Sequence, residues 1–531
     1  MPITYNDIVN ADLSGLKAAS EAWKTMGSRF LKLQGSYQDH VKAAVDADSW
    51  RGESAAAYSR WGQATLDEYA EAEGEAQGVS GLLSDAYSIL KKHKQNVEKT
   101  RDDAQKAGMA VDSNGRCTMD LRRVAELKGE ATAEQYRRDH AARQTVEESW
   151  SDAIDKAVKA TQRADENIKM ALMAEPKQSS KGLPGGFNGN IKDDVGEANA
   201  ARAGEVLKRL KNGDDVSAGD LRDARFLTRE NGKDPEFSRT LINSLGGPEG
   251  LIKTHNRLDD LAYFDDKDQK KSYLSLDKGL ATTLATATRN PNTEFYKRFR
   301  AGLQKAGVSA YDLDLATRGQ GEGQKVRGYQ SLVSLMKQGS GYSGQFLKDV
   351  AHDIRKAEDK KQGGHPDVWD LRGDFGDKKH ARFASDPMDG ILGIMSDNPK
   401  AAAEYLDPGP GGKNDNLQYL LTGRDWKNVD FSDSREAFYR ESDPDMYNDS
   451  DKESTNARKG LGAAMTAAAT GVSPSDSSPP VPSSHSDANN RVFVKALGEL
   501  SAKGDDMPAA LRGDMAKIMV NHGHEVHVAM S

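Results

Sequence analysis

Residues 522–527 read His522-Gly-His524-Glu525-Val-His527, three imidazoles and a carboxylate in six positions. These are the residue types that hold zinc, but a zinc centre needs three ligands converging within ~2.1 Å of one ion. On a helix His524 and His527 share a face while His522 does not, and the spacing departs from His-Glu-x-x-His. The run reads as a helix C-terminus with imidazoles near the negative end of the macrodipole. Gly319-Gln-Gly321-Glu-Gly323-Gln-Lys-Val-Arg-Gly328 has the glycine density of a phosphate cradle. It follows a helix-like stretch rather than a strand, and G-x-x-x-x-G-K-[S/T] occurs nowhere, so it reads as a loop. Paired carboxylates suited to acid–base work occur at Asp193-Asp194, Asp259-Asp260 and Asp265-Asp266. Adjacent helical positions diverge by ~100°, so these pairs are expected to be solvated charge. Cys117 is the single cysteine, which excludes an intrachain disulfide and an all-Cys metal cage, and only Arg116 stands beside it as an activator. No catalytic residue, cofactor site or metal site is predicted.

The elements that would position such groups are helical. The 531 residues carry 74 Lys and Arg against 82 Asp and Glu, a formal charge of −8, which gives no electrostatic footprint for nucleic acid. Leu, Ile, Val and Phe together make about 17 % of the chain, while Ala alone makes about 12 %. Alanine-rich chains poor in β-branched residues bury surface by packing helices closely, so the fold class is all-α with slender cores. No run approaches the ~18 apolar residues of a membrane span. Met1 to Asp7 has neither the basic nor the apolar region of a cleavable leader, so the expected destination is the cytoplasm or export by a leaderless route.

Residues 1–174 carry the strongest periodicity. Leu16, Ala19, Trp23, Met26, Phe30, Leu33, Tyr37 and Val41 step by three or four, the spacing of one helix face. After Trp50-Arg51-Gly52 a second stripe runs through Tyr58, Trp61, Thr65, Tyr69, Ala72, Ala76, Val79, Leu83, Ala86 and Leu90, with a kink expected at Gly74, Gly78 or Gly81. Asn114-Gly115 lies between two short extended stretches and predicts a small β-hairpin. A third long helix follows with Tyr136, His140, Val146, Trp150, Ile154 and Ile168 on one face, which completes an elongated antiparallel bundle. Residues 175–196 read as a flexible linker and 197–470 as a second, multi-helix domain. Its helix starts are marked by Asx-Pro at Asp234, Asn290, Asp386, Asn398 and Asp443, and by Ser217. A Pro/Ser-rich linker spans 471–488. The helical segment 489–531 is too short for a core of its own, so it docks on the central domain, pairs with another chain, or begins something longer.

Trp50-Arg51-Gly52 stands where the chain must reverse between two amphipathic helices. Gly52 can take positive φ at that turn while an indole covers the open end of the core. This resembles the WXG (ESX-type) family of small helical hairpins, substrates of type VII secretion, over roughly residues 1–105, or 1–173 with the third helix. The resemblance implies a secreted or secretion-associated protein that acts by helical association, with itself or with a small helical partner, and possible contact with the type VII machinery. Trp50, Gly52, Trp23, Phe30, Trp61 and Trp150 would carry that association through rings buried at the turn and along the seam. The family's export signal, Tyr-x-x-x-[Asp/Glu], is matched by Tyr69-Ala-Glu-Ala-Glu73. Residues 234–251 and 390–406 are more loosely similar to uncharacterised actinobacterial helical proteins and imply no activity. Two alternatives stay open: a trafficking module for a toxin or enzyme whose activity lies in the central domain or beyond residue 531, and a cytosolic helical scaffold.

Overall fold

The computed structural model describes residues 2–43, 50–173, 186–312, 325–362, 366–369, 386–426, 457–476, 485–523 and 527. The fold is all-α, and the strand pairs among the described residues are two short antiparallel ones. No helix among these residues is long and apolar enough to cross a membrane. The chain divides into two compact units, Met1–Arg202 and Ala203–Ser531.

In the first unit, α1 (Tyr5–Asn10) and α2 (Ser14–Tyr37) precede a π-helical turn, Gln38–Lys42. Then comes α3, Glu53–Lys106, a single helix of 54 residues. The β-hairpin falls at the predicted Asn114-Gly115 turn, with β1 (Met109–Val111) antiparallel to β2 (Cys117–Met119). After α4 (Leu121–Lys128) and α5 (Glu130–Arg138), α6 (His140–Leu172) packs back along α3. One core gathers Tyr5, Ile8, Val97, Met109, Cys117 and Ile154, and a second gathers Leu82, Ala86, Ile168 and Ala171.

Helix α3 runs unbroken through Gly74, Gly78 and Gly81, and the glycines serve another end. Residues 187–194, read from sequence as part of a flexible linker, lie against that face of α3. A Cβ on Gly78 would sit 2.1 Å from Ile191 Cγ2, and one on Gly81 would sit 2.5 Å from Asp193 Cβ. Glu75 Oε2 accepts the Asn188 amide at 2.6 Å and Asp85 Oδ2 accepts the Val195 amide at 3.0 Å. The missing side chains let an extended segment reach the helix surface, and carboxylates from α3 satisfy its backbone.

The second unit is built by the caps that its sequence announces. The described α-helices of eight residues or more are α7 (Val195–Asn212, which crosses the division at Arg202), α8 (Ala218–Asn231), α9 (Pro235–Leu245), α10 (Gly247–Asp260), α11 (Lys270–Ala287), α12 (Glu294–Ala306), α13 (Gly328–Met336), α14 (Gly344–Glu358), α15 (Pro387–Met395), α16 (Pro399–Leu406), α17 (Lys459–Thr470), α18 (Asp487–Ser501) and α19 (Ala509–Asn521). Asp234, Asp386 and Asn398 each cap a helix that begins with Pro, and Ser217 caps α8. Asn290 differs: its Oδ1 closes a turn onto the Asn292 amide, and Thr293 caps α12. Asp443 lies outside the described residues. α10 packs on α9, α11, α12 and α13. α17 packs on α15, α16, α18 and α19, so the segment from 489 onward docks on the central helices.

Gly35 and Gly78 should respond in opposite ways to alanine. Gly35 lies in α2 with nothing within 4 Å of an added Cβ. Gly35→Ala is therefore expected to stabilise by about 0.5–1 kcal/mol. Gly78→Ala should instead destabilise, and limited proteolysis should cut faster within 187–194; thermal unfolding with protease digestion of both variants measures the contrast.

Candidate functional site

The hairpin of α2 and α3 is set in register by small residues. Ser20 Oγ donates to the Ser80 carbonyl and Ser80 Oγ to the Ser20 carbonyl, both at 2.8 Å. Farther along, Gln34 Nε2 donates to the Leu66 carbonyl at 3.0 Å. Gly52 has φ +110°, the left-handed conformation expected at the turn, and its carbonyl accepts the Ala56 amide at 3.1 Å to open α3. The Trp50 ring lies 5.7 Å from that of Tyr58 in the first turns of α3.

The seam itself departs from the expected stripe. Gly62 and Leu66 are the buried positions, one residue beyond Trp61 and Thr65, so Trp61 is turned outward and is 77 % exposed. The two-helix end cannot bury both sides of α3, because the residues of α6 next to the Leu82–Ala86 stretch are already its last, Ile168 and Ala171. Leu31 at 53 %, Leu33 at 50 % and Trp50 at 43 % exposure, with Val41, leave further apolar surface on this end. Burial of Trp50 and Trp61 is thus corrected. Trp23 and Phe30 are half-buried, with the Phe30 ring 5.7 Å from Phe187 of the laid-down segment. Trp150 packs beside the Tyr5–Ile154 core and belongs to the other end of the bundle. Tyr69 is half-buried with its ring 6.1 Å from Tyr37, and Glu73 accepts from the Gln77 amide. A cleft of about 670 Å³, lined by Gln34, Gln38, Lys42, Gln63, Leu66 and Asp67, opens beside the π-helical turn.

The chemistry-bearing groups are distributed differently from their sequence reading. His522 ends α19 as expected, but it is buried: Nε2 meets the Ala469 carbonyl at 2.9 Å, and its ring stacks on His485 and Phe493 with centroids 3.7 and 4.4 Å away. His524 and Gly319, Gly321 and Gly323 lie outside the described residues. Cys117 is buried, and that burial pushes its thiol pKa up, away from the reactive thiolate.

Asp259 and Asp260, expected in solvent, are 4 % and 2 % exposed. Packing on every side of α10 leaves little of that helix facing water, and that overrides the charge. His255 Nδ1 lies 2.8 and 2.9 Å from the two Asp277 oxygens. Burial disfavours the imidazolium, but Asp277 and then Asp259 outweigh it and push the His255 pKa up to about 9. Elsewhere Arg424 reaches Glu358 Oε1 and Oε2 at 2.8 and 2.9 Å and Asp386 Oδ2 and Oδ1 at 2.7 and 3.0 Å, while Trp369 Nε1 donates to Glu358 at 2.7 Å. His255–Asp259 is a helical i,i+4 pair and was readable; partners 22 and 66 residues apart left no local signal. None of these groups lines the cleft of about 560 Å³ between the 408–414 loop and α18, whose cations Arg491 and Lys495 are paired with Asp407 and Glu499.

Asp389 gives a pH dependence. Its carboxylate accepts the Leu461 amide at the start of α17 at 2.9 Å, and burial, then the Asp386 charge, push its pKa from 3.8 up to about 6. The folded value lies above the unfolded one, so its contribution is complete below about pH 4 and is lost as pH rises through 6. Asp389→Asn keeps an acceptor oxygen and cannot ionise, so it should reduce the fall in stability between about pH 5 and about pH 7.5 by roughly 1.4 kcal/mol. Denaturant unfolding of both proteins at the two pH values checks this.

Comparison with family models, with curated proteins and with solved structures finds no match for this chain.

Proposed function

We propose that this protein works by association, and that the free end of the α2–α3 hairpin is the surface through which it does so. The observation that carries the proposal is the exposure of Trp61, Leu31, Leu33 and Trp50 on one end of the bundle, where two tryptophans stand in water. Large aromatic surface left in water is characteristic of interaction sites, and tryptophan contributes most to binding when such a site is covered. A helical partner, or a second copy of this chain, would lay an apolar stripe along this end, with the polar cleft at Gln38 and Lys42 beside it for a hydrogen-bonding anchor.

The resemblance of Trp50-Arg51-Gly52 to the WXG turn supports a secreted or secretion-associated role. Tyr69 and Glu73, one helical turn apart on α3, would then be the pair that the type VII machinery reads. The reading of the second unit as an enzyme or toxin calls for perturbed ionisable groups facing a pocket. Among the described residues His255, Asp389 and Arg424 are perturbed and face protein, and Arg491, which lines the cleft at α18, is shifted by its pair with Asp407; on that ground we read the second unit as a scaffold.

Leu33→Ser with Trp61→Ser is the test. Both side chains face water, so folding stability should change by no more than about 0.5 kcal/mol. Self-association, or capture of a helical partner from the native host, should weaken at least about thirtyfold. Sedimentation of the purified chain and crosslinking in the host read the two; unchanged association in the double variant would remove the proposal. Fractionation of the host with and without its type VII ATPase tests the export part, which fails if the protein stays inside the cell in both strains.

A further inference from the structure

The outward face of α18 carries a ridge beside a notch. Val494 is 64 % exposed and stands one turn before Gly498, where an added Cβ would meet nothing within 4 Å. Both residues line the cleft of about 560 Å³ that the 408–414 loop makes with α18. On the loop side Gly409 and Gly412 likewise have nothing within 4 Å of an added Cβ. Polar contacts hold this opening in place. Arg491 of α18 donates to Asp407 at 2.8 and 2.6 Å, and Asp407 Oδ1 accepts the Gly409 amide at 2.9 Å. Asn414 Nδ2 donates to the carbonyls of Tyr405 and Asp407 at 2.9 and 2.8 Å.

A side chain that projects and a gap four residues later, ~6 Å along the axis, make a surface that fits a reversed copy of itself. The charges agree with that direction. Arg491 and Lys495 precede the notch and Glu499 follows it, with Lys495 paired to Glu499 at 2.7 Å. An antiparallel copy would lay the cationic half of one helix on the Glu499 half of the other. A parallel copy would set cations against cations, so the charge order selects the antiparallel arrangement.

We propose that α18 pairs with α18 of a second copy of this chain, antiparallel about a twofold axis, with Val494 of each copy seated at Gly498 of the other. Leu497, 36 % exposed, borders the contact. The same patch serves both copies, so the contact closes at a dimer. Glycine weakens a helix that faces water, and close approach of a second helix is the use that position 498 then has. The contact lies in the second unit and does not draw on the hairpin end of the first.

The experiment uses the full chain. Its one cysteine, Cys117, is buried in the first unit, so introduced thiols report alone. Val494→Cys and Gly498→Cys proteins, mixed in equal amounts and oxidised with copper phenanthroline, should give at least about tenfold more disulfide-linked dimer than either variant oxidised alone. In the mixture the two thiols face each other. In either variant alone they are offset by ~6 Å along the helices, which takes the Cα atoms beyond disulfide reach. Gly498→Leu fills the notch without meeting a neighbour, so its melting temperature should hold while the dimer dissociation constant, read by sedimentation, rises at least about tenfold. The same cysteine pair in the Leu33→Ser, Trp61→Ser chain should cross-link to the same extent, which separates this contact from association at the hairpin end. A mixture that cross-links no better than the single variants would overturn the proposal, as would a chain that sediments as a monomer at about 100 μM. A dimer that Gly498→Leu leaves intact would overturn it by placing the interface elsewhere.

Discussion

Close approach of helix backbones is the constraint on which the rest of this protein depends. In the second unit a Cβ on Gly460 would stand 1.8 Å from the Asp389 carbonyl, and one on Gly462 would stand 2.1 Å from Asp514 Oδ2. Between and beyond them Ala464, Ala467, Ala468 and Ala469 are fully buried, with four helices around α17. Alanine contributes little transfer free energy, so stability here comes from the density of contacts that small residues allow. The first unit uses the same means along Ala72, Ala76, Gly78 and Ala86 of α3. A seam made of small residues is narrow, and the large side chains that do not fit it are left outside, as Trp61 is.

A core of this kind admits charge only where the charge is matched. Arg424 meets both Glu358 and Asp386, and Glu358 also accepts from Trp369, so the ion pair sits inside a hydrogen-bonded network. Arg300 spans Asp349 and Asp353 in the same way, with Tyr296 donating to Asp349. Such networks add little net stability over apolar packing, but they fix which helices meet and at what register, since a one-turn slip would strand several buried charges.

The two units divide the properties expected of a functional protein. The first exposes apolar surface at the end of a hairpin that carries Trp50 and Gly52 at the start of α3. The second encloses His255, Glu358 and Arg424 and presents a cleft whose cations are already paired. Association at the first and scaffolding by the second is what we propose from both observations.

Much of the local structure was legible in the sequence. Asp234, Asp386, Asn398 and Ser217 cap helices because an Asx or Ser oxygen followed by a preset first turn satisfies free amides whatever surrounds it. Asn114-Gly115 turns the β-hairpin, and Gly52 takes its positive φ, for equally local reasons. The candidate site was legible only in part. A turn at Trp50-Arg51-Gly52 with Gly52 at positive φ follows from the tripeptide, but the outward Trp61 does not. α3 is covered by α2 on one face and by the 187–194 segment on another, and two overlapping stripes blur the phase that a single periodic reading assumes. The same holds for Gly74, Gly78 and Gly81, which by themselves read as weak points and in the fold are a bed for a distant segment. Burial of Asp259 and the pairing of His255 with Asp277 were decided by how α10 and α11 cross. The residues themselves determined cap, turn and helix, because those depend on neighbours a few positions away. Only the tertiary structure decided which face each helix buries and which charges meet, because those depend on the surfaces of elements tens of residues apart.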